Sequence, residues 1–459
     1  MFKNLIIILF FNTSANAQSC DCKKEFLHVK GLIENNYAGF NDKQSIMTKT
    51  EYEKKTAVFE SLAANHDYNE QCLLIISQYL DIFKDDHIQV STSFDAGKQD
   101  TAFINQRKFI NHPPDKLISL ASAKNTEGIY LLNYDSAYKI AVVKEHNTLF
   151  DYSGVIVESK LPSWKKGMIK FVAKHVNDSL LKGLLYMRNH LPKVEWFYLG
   201  KNSIGGDWQR EGTVRNTITN EYVPVSSKKL SDKTFYIRIS TFNSANAKRI
   251  DSLLKANNDI INNTPNLVLD LRNNGGGSDF SYASLLPLIY SGVVRNIGLD
   301  VLSTDVNIAG WKKLLDDENI PEESKRSITV MIQKMESNKG KLVNIVDDEI
   351  DSAYKILPFP KRVAILINKG SASTTEQFLL YAMQSSKVTL LGENTQGTLD
   401  YSNMREIPFA CMPYILRVAT TRSRRLDMQQ GIDNVGIKPN KYLAPGTDWI
   451  EEARKLLEQ

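Results

Sequence analysis

Apolar side chains in about the first hundred residues recur every three or four positions, as they do along one face of a helix. Two stretches follow this spacing, Glu25 to Ile33 and Gln71 to Phe83. The second runs into Asp85-Asp86-His87, after which apolar and polar residues alternate through residues 88–90. This pattern predicts an N-terminal helical region over residues 18–112, in which a strand follows a helix and a histidine lies between them.

The pattern changes in the middle of the chain. Short runs rich in β-branched and aromatic residues, such as Tyr138 to Val143 and Val155 to Val157, favour strands. We therefore expect a β-rich middle domain over residues 113–228. A β-sandwich or a barrel fits the pattern better than a peptide-binding PDZ-like module.

The last part of the chain alternates apolar strands with helical segments, which is typical of an α/β domain. Its apolar runs resemble buried central strands, and they cover residues 235–239, 267–271, 363–367 and 388–391. We assign this α/β domain to residues 229–459. A charged insertion over about residues 305–350 contains the segment Glu322 to Met335, which has an apolar face. This segment is either an amphipathic lid or part of a solvated surface helix pair.

Composition limits the classes of protein that remain. The chain has 459 residues, enough for about three domains. Its 42% hydrophobic and 24% charged residues exclude a disordered tail, a collagen-like fibre and a disulfide mini-protein. A net charge of +5 and the single basic run Arg422 to Arg425 argue against nucleic-acid binding. The seven histidines are dispersed, so we expect no zinc-finger array. We also expect no metal and no cofactor.

The first 17 residues predict export. Lys3 is followed by an apolar run over residues 5–11 and then by Ala15-Asn16-Ala17, the layout of a signal peptide with cleavage after Ala17. The run is too short to span a bilayer, and no other run is long enough. We expect a periplasmic or extracellular protein without a transmembrane segment. A lipoprotein anchored through Cys20 is the less favoured alternative, because Ala17-Gln18-Ser19-Cys20 is a poor lipidation motif.

The chain has four cysteines. In an oxidising compartment, either Cys20 or Cys22 could pair with Cys72, and the spacing does not decide between them. Cys411 lies in an apolar segment and is expected to be a buried free thiol.

Two loops at strand ends could carry chemistry. In the first, residues 267–278, a buried strand ends in Gly275-Gly276-Gly277. Glycines let the backbone approach a ligand closely, and their N–H groups can bind an oxyanion. In the second, residues 368–376, Ser373 lies between a buried strand and the positive end of a helix. The alternatives are a plain glycine turn and a serine that only caps the helix in a box with Glu376.

Two further segments contain candidate acid–base groups. His87 directly follows two carboxylates that could orient and charge-stabilise it. Asp433 lies in Gly431-Ile432-Asp433-Asn434-Val435-Gly436 and is either a turn residue or an acidic helper. Each segment alone is a weak signal.

Taken together and in this order, the four segments resemble the tail-specific, or C-terminal-processing, serine peptidases. That family shows a strand with "DLRxNxGG", then an apolar strand, "SASxxE", a helix and "GExTxG". Residues 267–278 and 363–397 match these elements, and the last is Gly392-Glu393-Asn394-Thr395-Gln396-Gly397. The histidine segment resembles the family's "DGH" motif. The resemblance covers about residues 230–440 and implies an α/β catalytic domain of the ClpP/crotonase-like, spiral β-β-α type within a multidomain α+β chain.

The resemblance also implies roles for individual residues. The family's nucleophile maps to Ser373. The Ser-Lys branch carries a lysine soon after "GExTxG", but here that position is Thr398. The branch similar to the tricorn core uses a histidine and an acidic helper, which implies His87 as the base and Asp86 or Asp433 as the helper. Thr374 would then supply an oxyanion-hole N–H together with Gly276 or Gly275.

The sequence thus predicts an exported serine endopeptidase whose base and nucleophile meet between domains and whose partner is a peptide or protein substrate. Three departures from the family pattern stand against it: Asp86 replaces the usual glycine, Thr374 and Thr375 replace small residues, and no PDZ module is indicated. The rival hypothesis is a catalytically silent protein of the same fold that binds a peptide or hydrophobic ligand, as the retinoid-binding relatives of this family do. A distance of about 3.2 Å between Ser373 Oγ and His87 would favour the enzyme.

Overall fold

The computed structural model describes residues 20–66, 69–92, 126–132, 137–213, 223–316, 318, 320 and 322–459. The predicted signal peptide lies outside these residues, and so does the predicted boundary between residues 112 and 113. Within the described residues, no helix is both long enough and apolar enough to cross a bilayer. The predicted fold class, a multidomain α+β chain with an N-terminal helical region and a β-rich middle part, is confirmed.

The N-terminal region is helical, as the apolar spacing predicted. Its helices are Cys22–Asn36, Phe40–Ile46, Lys49–Ala64 and Asn69–Leu80, with a 3₁₀ turn at Asp81–Phe83. Thr48 and Glu51 form a capping box that begins the third helix. The apolar faces pack inward around Phe26 and Tyr79, whose rings meet edge to face. The short strand β1 (Gln89–Thr92) follows two residues after His87.

The middle part forms one eight-stranded antiparallel sheet that closes on itself. Its strands are β2 (Gly128–Leu132), β3 (Tyr138–Lys144), β4 (Tyr152–Ser159), β5 (Ile169–Asn177), β6 (Leu180–Tyr186), β7 (Pro192–Tyr198), β8 (Ser203–Ile204) and β9 (Trp208–Arg210). The order runs β7-β6-β5-β4-β3-β2-β9-β8, and a bridge between Leu199 and Ile204 joins the two ends. Of the two architectures that the sequence left open, the structure has the barrel, which is filled by aromatic side chains such as Trp164 and Trp208.

The C-terminal part is built on a six-stranded sheet in the order β10-β11-β12-β17-β18-β21, parallel except for β10. These strands are β10 (Val225–Lys229), β11 (Thr234–Ile239), β12 (Asn266–Asp270), β17 (Arg362–Ile367), β18 (Val388–Gly392) and β21 (Lys441–Tyr442). Helices Ala247–Ala256, Asn258–Asn263, Leu286–Ile289 and Thr374–Ala382 cover one face, and Trp449–Glu458 covers the other. Because both faces are covered, β12 is buried along its whole length. The proposed domain boundary at residue 228 falls inside β10.

A second sheet joins the N-terminal region to the C-terminal part. It contains β1, β14 (Leu299–Leu302), β15 (Leu342–Val346), β19 (Tyr401–Pro408) and β20 (Tyr414–Ser423), and a separate two-stranded sheet pairs β13 (Val294–Asn296) with β16 (Glu349–Asp351). β1 runs antiparallel to β20, with Gln89 opposite Arg417 and Thr92 opposite Tyr414. The N-terminal helices pack on β19 and β20 in one continuous apolar cluster. His87 is therefore held against the C-terminal part.

The charged insertion contains helices Asp305–Lys313 and Glu322–Glu336. The apolar face of the second helix is packed rather than open, since Met331, Ile332 and Met335 are buried against Trp311. The strands β14 and β15 that flank this helix pair are part of the second sheet. The insertion thus has its own small core.

Two disulfides tie the N-terminal helices in place. Cys22 pairs with Cys72, one of the two pairings that the sequence left open. Cys20 pairs with Cys411. The prediction of a buried free thiol at Cys411 was wrong, because this residue is exposed in the turn between β19 and β20, where the chain start passes close by.

We expect the double variant Cys22→Ser/Cys72→Ser to lose about 2–4 kcal/mol of unfolding free energy, because the cross-link restricts the unfolded chain. Urea unfolding measures the loss. In the presence of a reductant, wild type and variant should unfold at nearly the same midpoint. Equal midpoints without reductant would contradict the pairing.

Candidate active site

The site forms where two neighbouring parallel strands end. β12 and β17 pair in register, so the loops that follow them leave the same edge of the sheet. The Ser371 hydroxyl donates to the carbonyl of Leu271 at 2.9 Å, and the Ala372 N–H donates to the carbonyl of Asn274 at 3.0 Å. These bonds hold the serine loop against the glycine loop. The two motifs, 100 residues apart in sequence, are thus adjacent in space.

Ser373 has an unusual backbone conformation. Its φ of 54° and ψ of −121° lie outside the regions that residues with a Cβ normally occupy. Such strain persists only where the surroundings fix it, and it is concentrated at functional sites. The following residue begins helix Thr374–Ala382, so the hydroxyl lies at the positive end of the helix.

His87 faces this hydroxyl. Its Nε2 lies 3.1 Å from Ser373 Oγ, within the distance that the enzyme hypothesis requires. Its Nδ1 lies 2.5 Å from the backbone carbonyl of Tyr401. A carbonyl can only accept, so Nδ1 carries the proton and Nε2 presents its lone pair to the serine. The imidazole is buried and is held in the tautomer that a general base needs.

Neither candidate acidic helper is a hydrogen-bond partner of the imidazole, whose two nitrogens face the Tyr401 carbonyl and Ser373 Oγ. Asp86 is exposed, and its carboxylate accepts a hydrogen bond from Gln396. Asp433 accepts the N–H groups of Leu399 at 3.1 Å and Asp400 at 2.9 Å. Asp433 therefore fixes the backbone just before Tyr401, whose carbonyl orients His87.

Asp85 is the carboxylate that holds the histidine loop. It is buried, and it accepts the His87 N–H at 2.8 Å and the Tyr37 hydroxyl at 2.6 Å. Burial, followed by the charge of Asp85, raises the pKa of Tyr37 well above its usual value. Burial, and then the charges of Asp85 and Asp400, raise the pKa of Asp433 to about 7. The charges of Asp85 and Asp433 thus oppose each other in a largely buried space.

The expected oxyanion donors differ in availability. The N–H of Gly276 donates to the side chain of Asn274 at 3.0 Å, so this donor is engaged. No hydrogen bond among the described residues engages the N–H of Gly275 or of Thr374. Gly276 lies against Ser373, because a Cβ on it would be 2.8 Å from the Ala372 carbonyl and 3.0 Å from Ser373 Cβ. Its φ of 97° also favours glycine.

Glu376 binds the backbone of both the Ser373 loop and the loop at Gly397 and Thr398. This fully buried carboxylate accepts the N–H groups of Ser373, Gly397 and Thr398 at 3.1, 2.7 and 2.8 Å, and also the Thr395 hydroxyl. Burial raises the pKa of Glu376, and these hydrogen bonds oppose the rise. The sequence indicated only a capping residue here, and it gave no signal for Tyr401, whose contribution is a backbone carbonyl.

A cavity of about 700 Å³ opens beside the histidine loop. It lies where the three parts of the chain meet, a usual place for a ligand cleft. Its wall includes Asp81, Lys84, Asp86, Lys182, Trp196, Tyr198, Gln396 and Asn434. Among the described residues, potential metal ligands gather in a group of three only at Cys20, Glu25 and Cys411, whose cysteines are joined in a disulfide.

We expect Glu376→Gln to lower the unfolding free energy by about 1–3 kcal/mol. The amide nitrogen cannot accept hydrogen bonds, so buried N–H groups that now donate to the carboxylate would lose their partner. It should also slow the reaction of Ser373 with a fluorophosphonate. Urea unfolding and labelling rate are the two measurements. Glu393→Gln, at a half-buried position in the neighbouring loop, is the matched control, and equal behaviour of both variants would argue against this role.

Comparisons with known proteins give one family match and several structural likenesses. The model of Peptidase family S41 matches residues 233–443. The crystal structure of mature CPAF aligns over 95% of this chain and 96% of its own at 12% identity and a TM-score of 0.50. A CPAF mutant aligns with the same identity and coverage and a TM-score of 0.51, and these two likenesses show a shared fold.

The photosystem II D1 C-terminal processing protease also aligns, over 96% of this chain and 98% of its own, at 14% identity and a TM-score of 0.40. No curated protein gives a significant match. The family match includes the glycine loop, Ser373 and Glu376. Residues 233–443 thus match peptidase family S41, and the chain is a serine-type peptidase that acts on peptide or protein substrates.

Proposed function

We propose that this protein is an exported serine endopeptidase in which Ser373 is the nucleophile and His87 is the general base. One observation carries the proposal: the 3.1 Å approach of His87 Nε2 to Ser373 Oγ, with Nδ1 directed to the Tyr401 carbonyl. A serine hydroxyl becomes a competent nucleophile when an adjacent base accepts its proton. This arrangement meets that requirement without a lysine, and Thr398 stands where the Ser-Lys branch has one.

The reaction follows from these contacts. Ser373 Oγ attacks the scissile carbonyl carbon while its proton moves to His87 Nε2. The imidazolium then gives this proton to the leaving amine, the peptide C–N bond breaks and an acyl-serine remains. Water, deprotonated by the same Nε2, then attacks the acyl carbon. The bond from this carbon to Ser373 Oγ breaks, the imidazolium returns its proton to Oγ, and the product leaves with a new carboxyl group. No cofactor is needed for this sequence of steps.

Two groups stabilise charge as it develops. The tetrahedral oxyanion is bound by the Thr374 N–H and by a glycine-loop N–H, from Gly275 directly or from Gly276 once Asn274 releases it. Each such donor contributes about 3 kcal/mol. The imidazolium keeps its hydrogen bond to the Tyr401 carbonyl. The acidic helper is Asp433, which acts through the backbone that it holds rather than through direct contact.

Export is part of the proposal. The signal-peptide pattern ending at Ala17 and the two disulfides both suit an oxidising compartment outside the cytoplasm. A lipid on Cys20 would need the same sulfur that is joined to Cys411. This favours a periplasmic or extracellular protein without a lipid anchor.

We expect the mature protein to react with a fluorophosphonate probe at Ser373, and Ser373→Ala to abolish the labelling. Mass spectrometry of the labelled protein identifies the site. Ser386→Ala, an exposed serine beyond the end of the same helix, is the control and should label normally. Labelling that persists in Ser373→Ala would overturn the assignment, and its absence in wild type would favour a silent binding protein.

We expect His87→Ala to lower kcat/KM for peptide cleavage by about 10²- to 10⁴-fold, the usual contribution of a general base. Thermal unfolding should show that the variant remains folded. His28→Ala, an exposed histidine in the first helix, should keep full activity. Retention of activity in His87→Ala would require a different base.

A further inference from the structure

A buried lysine lies behind the catalytic histidine. Lys43, on helix Phe40–Ile46, is only 8% exposed. Its Nζ donates to the backbone carbonyl of Lys84 at 3.3 Å and lies 3.5 Å from Asp433 Oδ2. The ammonium is also 5.0 Å from the centre of the Tyr401 ring. Lysine is rarely buried unless it is paired.

These contacts connect the elements that position His87. The Lys84 carbonyl belongs to the loop that leads into Asp85 and His87, and Lys84 itself has a left-handed backbone with φ of 46°. Asn434 donates to the same carbonyl at 2.8 Å. Tyr401 supplies the carbonyl that accepts the His87 Nδ1–H. One ammonium thus contacts the histidine loop, the Asp433 loop and the strand that orients the base.

The charge of Lys43 also has an electrostatic consequence. Asp85 and Asp433 interact closely enough for each charge to oppose the other in a largely buried space. Lys43 is the cation that contacts Asp433, and its attraction opposes the rise in the pKa of Asp433. The titratable or charged groups that face this space are Tyr37, Lys43, Asp85, His87, Asp400 paired with Arg425, Tyr401 and Asp433.

We infer that Lys43 is a positioning residue of the peptidase: its ammonium offsets the charge of Asp433 and fixes the loop that carries His87. The kinetic consequence rests on the proposed function. When Asp433 is ionised, its negative charge favours the imidazolium that forms as Ser373 attacks. When Asp433 is protonated, that support is lost. Lys43 therefore sets the lower pH limit of efficient turnover.

The test is the pH profile of Lys43→Met. Without the ammonium, Asp433 should hold its proton to higher pH, so the acidic limb of kcat/KM should move up by about one pH unit. The variant should be about tenfold slower than wild type below pH 7 and approach it at pH 9. Lys43→Arg should keep the wild-type profile. Lys49→Met, at an exposed lysine paired with Glu53, is the matched control and should change nothing.

A stability measurement tests the same coupling without activity. A carboxylate whose folded-state pKa is raised loses stability as pH rises from its unfolded pKa to its folded pKa. Lys43→Met should therefore shift the urea midpoint more at pH 8, where Asp433 is ionised, than at pH 5. In an Asp433→Asn background this pH dependence should vanish. If Lys43→Met does not fold, Lys43→Gln, which can still donate to the Lys84 carbonyl, replaces it in both measurements.

The inference would be overturned if wild type and Lys43→Met had the same acidic limb of kcat/KM and their urea midpoints differed equally at pH 5 and pH 8. Lys43 would then be a packing residue. If wild type neither cleaves peptides nor reacts with the fluorophosphonate, the proposed function fails. The stability measurement then still decides whether Lys43 and Asp433 are coupled, so the two failures are distinguishable.

Discussion

The pairing of β1 with β20 is the contact on which the active site depends. His87 and Ser373 are 286 residues apart in sequence. Closing so long a loop costs conformational entropy, and contacts between distant parts of the chain must offset this cost. Four residues of β1, beginning at Gln89, form an antiparallel ladder with Tyr414 to Arg417. The ladder lies two residues from His87, so its position determines where the imidazole lies. The position of the proposed base therefore depends on the assembled molecule rather than on the N-terminal region alone.

Apolar packing and covalent bonds reinforce this pairing. The first and fourth helices bury their apolar faces against β19 and β20, and the rings of Tyr37 and Tyr401 meet edge to face. The Cys20–Cys411 disulfide joins the start of the described chain to the turn between β19 and β20. The Tyr401 carbonyl lies at the other end of that hairpin, so the acceptor that fixes the His87 tautomer belongs to the same unit as the strand that fixes its position.

How far the sequence predicts the site depends on the kind of signal that each residue leaves. The loop containing Gly276 and the loop containing Ser373 were predictable, because buried apolar strands mark their position and parallel strands bring their carboxyl ends to one edge. The Asp433 segment was a candidate, but the sequence does not say which groups its carboxylate binds. An aspartate that accepts backbone N–H groups looks the same in the sequence as one that accepts from an imidazole. The Tyr401 carbonyl leaves no signal, because every residue has one.

The disulfides and Lys43 show the same limit for long-range contacts. Cys411 pairs with Cys20, 391 residues away, and the spacing of cysteines in the sequence does not predict such a pairing. Lys43 occurs in a polar helix, where a lysine normally faces solvent, and only the assembled fold buries it beside Asp433. Side chains whose partners are distant in sequence become recognisable only when the sheet that joins the regions is known.

The strain at Ser373 and the position of Tyr401 have a common origin. A backbone conformation of this kind costs about 1–3 kcal/mol, so neighbouring contacts must hold it. Asn274 supplies two of them, since its carbonyl accepts the Ala372 N–H and the Thr375 hydroxyl on either side of Ser373. Glu376 supplies the third by accepting the Ser373 N–H, and the same carboxylate fixes Thr398, three residues before Tyr401. A displacement of this buried carboxylate would therefore move Ser373 and the Tyr401 carbonyl together. Glu376 thus connects the proposed nucleophile to the group that orients the proposed base.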